Sequence, residues 1–532
     1  MRHLRITAAL TAFLAAFGAL SSVAHAESAD PAVVATGSGP VRGVVAADHR
    51  AFAGIPYAAP PIGDLRWRAP LPAAPWSSIR GATRPGNPCP QLGGPDGSTL
   101  VGSEDCLYLN VTTPTGGDAR RLPVMVWLPG GGFVSGAGSD YDGTRLAVQG
   151  NVVVVTVNYR LGALGFLDHP ALAASDPAAG NYGIADQQAA LRWVRNNIGQ
   201  FGGDAHNITL FGQSAGAYSV CTHLASPSSA GLFHKAIVQS GPCANSMATR
   251  SVAQARGTAA ARDLGCSPVI DALACLRAVP ASRLVSIGGD QVLTATARIA
   301  DLPWLPVAGT PILPLQPLVA MRRGAAADVP LIQGSTRDEM RPFVAANYDV
   351  RGRPVTADQY LGVVGQVFGD DATAVLARYP ANAYPSPGVA LATVLTDWGR
   401  KLGACPVLPA DQAASRQSSV YTYEFAEDSG QIFAGLPMGA GHGAELPYLF
   451  DGAFNGPDGT APLNPQQQQL SRQLTTYWAN FATTGDPNGP GLPTWRPYRG
   501  DGRLLSLTAG QGGILGIDFS RAHQCGFWKA IH

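Results

Sequence analysis

The run NVVVVTVNYR, Asn151 to Arg160, constrains the fold of this chain more than any other stretch. Its β-branched residues follow one another without apolar–polar alternation, so a strand built from them has no wet face. Such a strand belongs inside a sheet covered on both sides. CLYLNVTTP and LPVMVWLPGGG read as strands before it, and NITLFG, FHKAIVQSG and VPLIQGS as strands after it. Between them, GNYGIADQQAALRWVRNNIGQFGGD has helical spacing through Ile184, Ala185, Leu191, Trp193, Val194 and Ile198, and AGAYSVCTHL reads as a second helix. Strands alternating with helices predict an α/β fold, a central and mostly parallel sheet with helices on both faces. VRGVVAADHRAFAGIPYAAPP predicts short antiparallel strands at one edge, and QQQQ at 466–469 leads into a helix. The Pro- and Gly-rich stretches 300–318 and 451–466 read as long loops, of a kind that can line an active-site gorge.

Residues 1–26 have a different character. Arg2 and Arg5 precede ITAALTAFLAAFGAL, and Ala24 to Ala26 (AHA) has the small-x-small form of a cleavage site. A secretory signal peptide cut before Glu27 is expected. The run is short for a membrane anchor, and no later stretch has the length and apolarity of a span, so a soluble, exported protein without stable membrane insertion is expected. No linker or repeat divides the remainder, and 46% apolar residues suffice for a large core, so 27–532 is expected to be a single domain. A formal net charge of +1 without basic blocks argues against nucleic acid as a partner. All eight cysteines lie in the exported part, which predicts disulfides, with Cys89–Cys106 and Cys266–Cys275 as the local pairs.

In NITLFGQSAGAYS, Ser214 stands between Gly212 and Gly216 where a strand passes into a helix. Small flanking residues allow a strained elbow that lifts a serine oxygen above the sheet edge. A serine hydroxyl needs a base to take its proton, and the base needs an acid to hold its tautomer. With this elbow the acid follows the serine in the chain, and the histidine follows the acid. VPLIQGSTRDEM offers Asp338 or Glu339, between which composition does not choose. Of the downstream histidines His442, His523 and His532, only His442 sits in a glycine-flanked loop, MGAGHGAELPYLF, able to bring an imidazole over the sheet edge. PGGGF at Pro129 to Phe133 follows a buried strand, and the N–H groups of Gly131 and Gly132, with that of Ala215, form a candidate oxyanion hole.

These residues, with GIPYAAPPIGDLRWRAP, SEDCLYLNV, NYRLGALGFL, GSTRDE and GHGAE in order over nearly the whole chain, resemble the type-B carboxylesterase family of α/β-hydrolases. The family includes cholinesterases, carboxylesterases and some fungal lipases. The resemblance implies Ser214 as nucleophile, Glu339 rather than Asp338 as the acid, His442 as the base, and Gly131, Gly132 and Ala215 as the oxyanion hole. It also implies the two local disulfides and a longer Cys405–Cys525 bridge, which leaves Cys221 with Cys243. Three departures stand out. Gln213 replaces the usual glutamate before the nucleophile, Pro129 replaces a frequent histidine or tyrosine, and the Cys89–Cys106 loop is short and lacks an aromatic residue. A large hydrophobic lid is therefore not expected.

The expected function is a secreted serine carboxylesterase acting through an acyl-enzyme, without a metal or organic cofactor, on a small-molecule or lipid-like ester. A lipase or transacylase of the same family is the nearest alternative. A silent adhesion protein on the same scaffold is the other, although such members lack parts of the triad that this chain keeps.

Overall fold

Among the described residues, eleven strands pair into one sheet. They are β1 (Val44–Val45), β2 (His49–Pro56), β3 (Tyr108–Pro114), β4 (Leu122–Leu128), β5 (Val153–Val157), β6 (Gly203–Gln213), β7 (Lys235–Gln239), β8 (Leu331–Thr336), β9 (Val420–Phe425), β10 (Arg503–Leu507) and β11 (Ile514–Asp518). Their order across the sheet is β11-β10-β9-β8-β7-β6-β4-β5-β3-β2-β1. The stretch from β10 to β5 is parallel throughout, while β11 at one end and β3, β2 and β1 at the other are antiparallel. This is the α/β-hydrolase architecture. The computed structural model describes residues 30–93, 97–115, 121–267, 271–452 and 462–531. The expected signal peptide at 1–26 and His532 lie outside them, and the described residues from Ala32 onward form one compact unit.

The unalternating run of β5 is buried at every position, because both faces are covered. Val153, Val155 and Val157 face a core shared with the helices Tyr182–Asn197 and Ala215–Leu224. Val154 joins the opposite core with Met125, Trp127 and the helices Thr144–Gly150 and Pro465–Thr484. The glutamine run does open that last helix: Asn464 caps it and Gln467 completes a capping box.

All four expected disulfides form: Cys89–Cys106, Cys221–Cys243, Cys266–Cys275 and Cys405–Cys525. The chain end is held more firmly than its weak pattern suggests. His523 is buried between Asp397 and Glu424, 2.6 Å from each. Burial opposes its charge, but the two carboxylates outweigh that and push it up to about 10. His523 is thus committed to an ion cluster on β9, three strands along the sheet from β6, and it is no competitor for the base.

Candidate active site

The parallel register brings the site together. Gly212 on β6 pairs with Leu128 on β4, so the residues just beyond them, Ser214 and the Gly130–Gly132 turn, emerge side by side at the carboxyl ends of the strands. Gln213 pairs with Gln239 on β7, and Gln239 with Gly334 on β8, which sets the turn carrying Glu339 two strands away.

Ser214 has φ 57° and ψ −121°, a conformation that L-residues rarely adopt, and its N–H donates to the Gln239 carbonyl at 2.9 Å. It caps the helix Ala215–Leu224. The elbow lies so tightly against β4 that a Cβ on Gly216 would run into the Leu128 carbonyl. Any larger residue at 216 would push the serine off its strand.

The glycine turn is clamped from three sides. Tyr159 Oη donates to the Pro129 carbonyl at 2.8 Å, the Gly162 N–H to the Phe133 carbonyl at 2.7 Å, and the Gly136 N–H to Gln91 Oε1 at 2.8 Å. Proline at 129 therefore costs nothing, since its carbonyl is the part in use. Tyr159 and Gly162 come from the NYRLGALGFL segment, which the buried Arg160–Asp186 pair (2.8 and 2.7 Å) fixes in turn. Gln91 lies in the first disulfide loop, so that loop braces the turn. Gly131 and Gly132 have φ of 109° and 61°. Among the described residues, the N–H groups of Gly131, Gly132 and Ala215 meet no protein acceptor.

Glu339 is fully buried. Its Oε1 accepts the Thr336 N–H at 2.8 Å, and its Oε2 accepts from His442 Nδ1 at 2.6 Å. Asp338 turns elsewhere: it accepts from Arg341 at 2.7 Å, from Arg337 at 3.1 Å and from the Ala440 N–H at 2.9 Å. One carboxylate thus meets the imidazole and its neighbour anchors the loop that carries it. The structure brings together every site residue expected from the sequence: Ser214, His442, Gly131, Gly132 and Ala215 line one cavity of about 250 Å³, with Glu339 behind His442. Ile299 and Leu302, from the edge of the long 300–318 stretch, add to the wall. Positions 453–461 of the other long loop lie outside the described residues.

No hydrogen bond joins Ser214 Oγ to His442 among the described residues. The Gln213 amide nitrogen is 3.1 Å from His442 Nε2 and 3.4 Å from Nδ1. An atom that near both ring nitrogens cannot lie along either in-plane direction, so the amide rests on the ring face. With Nδ1 tied to Glu339, the Nε2 lone pair stays open in the ring plane. Two further residues have no local sequence signature. Glu445 is buried and accepts from Gln239 Nε2 at 3.3 Å through Oε1, while its Oε2 has no partner among the described residues. Burial, with repulsion from Glu339 added, pushes it up to about 7. Lys401 forms part of the cavity wall.

A serine, an imidazole steered by a carboxylate and a cluster of unused N–H groups are the parts needed for acyl transfer. The model of the carboxylesterase family matches residues 30–528. A fumonisin B1 esterase from Sphingopyxis macrogoltabida is 35% identical over 534 residues, covering 95% of this chain and 92% of that protein. A para-nitrobenzyl esterase from Bacillus subtilis (strain 168) is 35% identical over 485 residues, covering 88% of this chain and 93% of the other. The solved structure of a thermophilic PNB esterase aligns with a TM-score of 0.77 at 32% identity, over 93% of this chain and 100% of that one.

Proposed function

This chain belongs to the carboxylesterase family and is a serine-type carboxylic ester hydrolase, and we propose that Ser214, His442 and Glu339 carry out its chemistry. His442 Nε2 takes the Ser214 proton as Oγ attacks the ester carbonyl. The negative oxygen that forms is met by the N–H groups of Gly131, Gly132 and Ala215, already free and already held in place. The imidazolium returns its proton to the leaving alcohol. A water molecule then enters and is activated by the same base, and it releases the acid from Ser214. Glu339 keeps the second imidazole proton on Nδ1 and stabilises the cation. The serine–imidazole contact tightens as substrate fills the cavity.

The observation that carries this reading is the 2.6 Å contact between His442 Nδ1 and Glu339 Oε2, with the far side of the ring in the cavity that Ser214 lines. An organophosphate reagent tests it. One covalent adduct is expected, on the peptide containing Ser214. A folded protein that stays unlabelled, or is labelled elsewhere, would overturn the assignment.

The substrate is a small-molecule ester, and we take a choline alcohol to be no advantage. No aromatic residue stands in the Cys89–Cys106 loop to receive a quaternary ammonium, a contact worth about 0.5–2 kcal/mol. The residue beside the nucleophile is the neutral Gln213, and Lys401 on the cavity wall offers a cation no counter-charge. The expected kcat/KM for a choline ester is equal to or below that for a neutral ester of the same acid and similar size. A choline preference above about tenfold, ~1.4 kcal/mol, would mean a cation site elsewhere in the gorge.

We also propose that the enzyme acts outside the cytoplasm. Four disulfides with no free cysteine suit an oxidising compartment. N-terminal sequencing of exported protein should begin at Glu27; an intact Met1 on the exported chain would count against the signal peptide.

A further inference from the structure

Lys401 is nearly fully buried, yet it lines the cavity that holds Ser214 and His442. Its ammonium donates to the Val292 carbonyl and, at 2.9 Å, to that of Thr294. It lies 4.3 Å from the centroid of Phe343. Among the described residues it forms no ion pair, its third proton has no protein acceptor, and no acidic side chain lines the cavity. An ammonium out of water without an anion is unfavourable, and two carbonyls and a ring face offset that only in part. A structural tether for the 292–294 segment could be made by an uncharged donor. A cation kept in the wall of a catalytic cavity calls for an anion that arrives with the substrate.

We infer that Lys401 makes this site selective for esters that carry a free carboxylate a few bonds from the ester group. The inference rests on the roles proposed above for Ser214 and His442. Phe343 joins the two ends of the site: its ring is 4.3 Å from the Lys401 nitrogen and 5.5 Å, centroid to centroid, from the His442 imidazole. A chain of a few methylenes spans that gap, so a carboxylate at its end reaches the ammonium while the ester carbonyl sits at Ser214. Val292, whose carbonyl Lys401 holds, packs so close to the oxyanion turn that a Cβ on Gly132 would strike it. The ammonium is therefore tied to the same wall that orients the reacting carbonyl. Burial alone pulls Lys401 down to about 7, and a bound carboxylate restores its charge. The remainder of the wall, including Leu293, Ile299, Leu302 and Leu402, suits the methylenes between the two charges.

Two substrate pairs test the inference by kcat/KM. In the first, 4-nitrophenyl hydrogen adipate is compared with 4-nitrophenyl hexanoate, which places the carboxylate on the acyl chain. In the second, 4-carboxyphenyl hexanoate is compared with 4-carbamoylphenyl hexanoate, which places it on the alcohol. The expected result is a preference of at least tenfold for the anionic member of one pair in the unaltered enzyme. In Lys401→Met that ratio should fall to one or below, whatever loss the two rates share. A purely structural tether would slow both members alike and leave the ratio where it was. A ratio unchanged by the substitution, or no preference in either pair with the unaltered enzyme, overturns the inference. The second outcome needs no variant to fold. Hydrolysis of the neutral esters without any preference would leave the roles of Ser214 and His442 standing, whereas no hydrolysis of any of the four would remove both.

Discussion

Ser214→Ala is expected to lower kcat for a neutral aryl ester by about 10⁶-fold, the scale seen when a triad serine is removed and only binding and the oxyanion donors remain. Folding should be nearly untouched. The hydroxyl makes no hydrogen bond that the fold depends on, and alanine keeps the Cβ of the original residue. It also keeps the strain: at φ 57° and ψ −121° a side chain is unfavourable whether or not it ends in oxygen. Ser214→Gly should be as inactive, yet more stable than Ser214→Ala by about 1 kcal/mol, because glycine adopts this conformation without steric penalty. Steady-state kinetics and thermal melts of the two purified variants check both statements. Activity in either variant above about one percent of the original would place the nucleophile elsewhere. A glycine variant less stable than the alanine variant would mean that the elbow is not strained.

Parts of the molecule with strong periodicity were legible before folding. β5 shows its two-sided burial directly in its β-branched run, and the helix Tyr182–Asn197 in its apolar spacing. Other helices are silent for a physical reason. Arg250–Asp263 buries only Ala253, Gly257, Ala260 and Ala261, residues too small to raise an apolar stripe above its background. Ala357–Phe368 differs: Tyr360, Val364 and Phe368 stand four residues apart and form a clear apolar stripe toward the core. The site divides in the same way. Ser214 and the glycine turn carry their geometry in adjacent residues, because a sharp elbow and a close approach of backbone demand small neighbours. Lys401 has no such signature. It matters only because the fold sets residues 292–294, 343 and 401 against one another, and each of these segments is ordinary by itself. The two adjacent carboxyls form an intermediate case. Their place after β8 was visible, but which one turns inward depends on partners as far away as Ala440.

Those partners give the two carboxyls opposite expected phenotypes. In Glu339→Gln the amide has one acceptor atom where two donors must be met, His442 Nδ1–H and the Thr336 N–H. If its oxygen faces Thr336, its NH₂ faces Nδ1 and drives the ring proton to Nε2, where no base remains for Ser214. If its oxygen faces Nδ1, two N–H groups collide at Thr336, and the imidazolium of the transition state still lacks a counter-charge. The loss of that role in serine hydrolysis is about 10⁴-fold, and a fall in kcat of that order is expected. Asp338→Asn touches no ring nitrogen. It weakens the contacts to Arg337 and Arg341 and leaves one oxygen to serve them and the Ala440 N–H, at a cost of about 1–3 kcal/mol for a largely buried charge-assisted set. Its main effect should be a lower melting temperature, with kcat within about tenfold while the protein stays folded. Measured side by side, the glutamate variant should lose rate out of proportion to stability, and the aspartate variant stability out of proportion to rate. Equal rate losses, or a larger one at Asp338, would mean that the loop anchor and the triad acid have been exchanged.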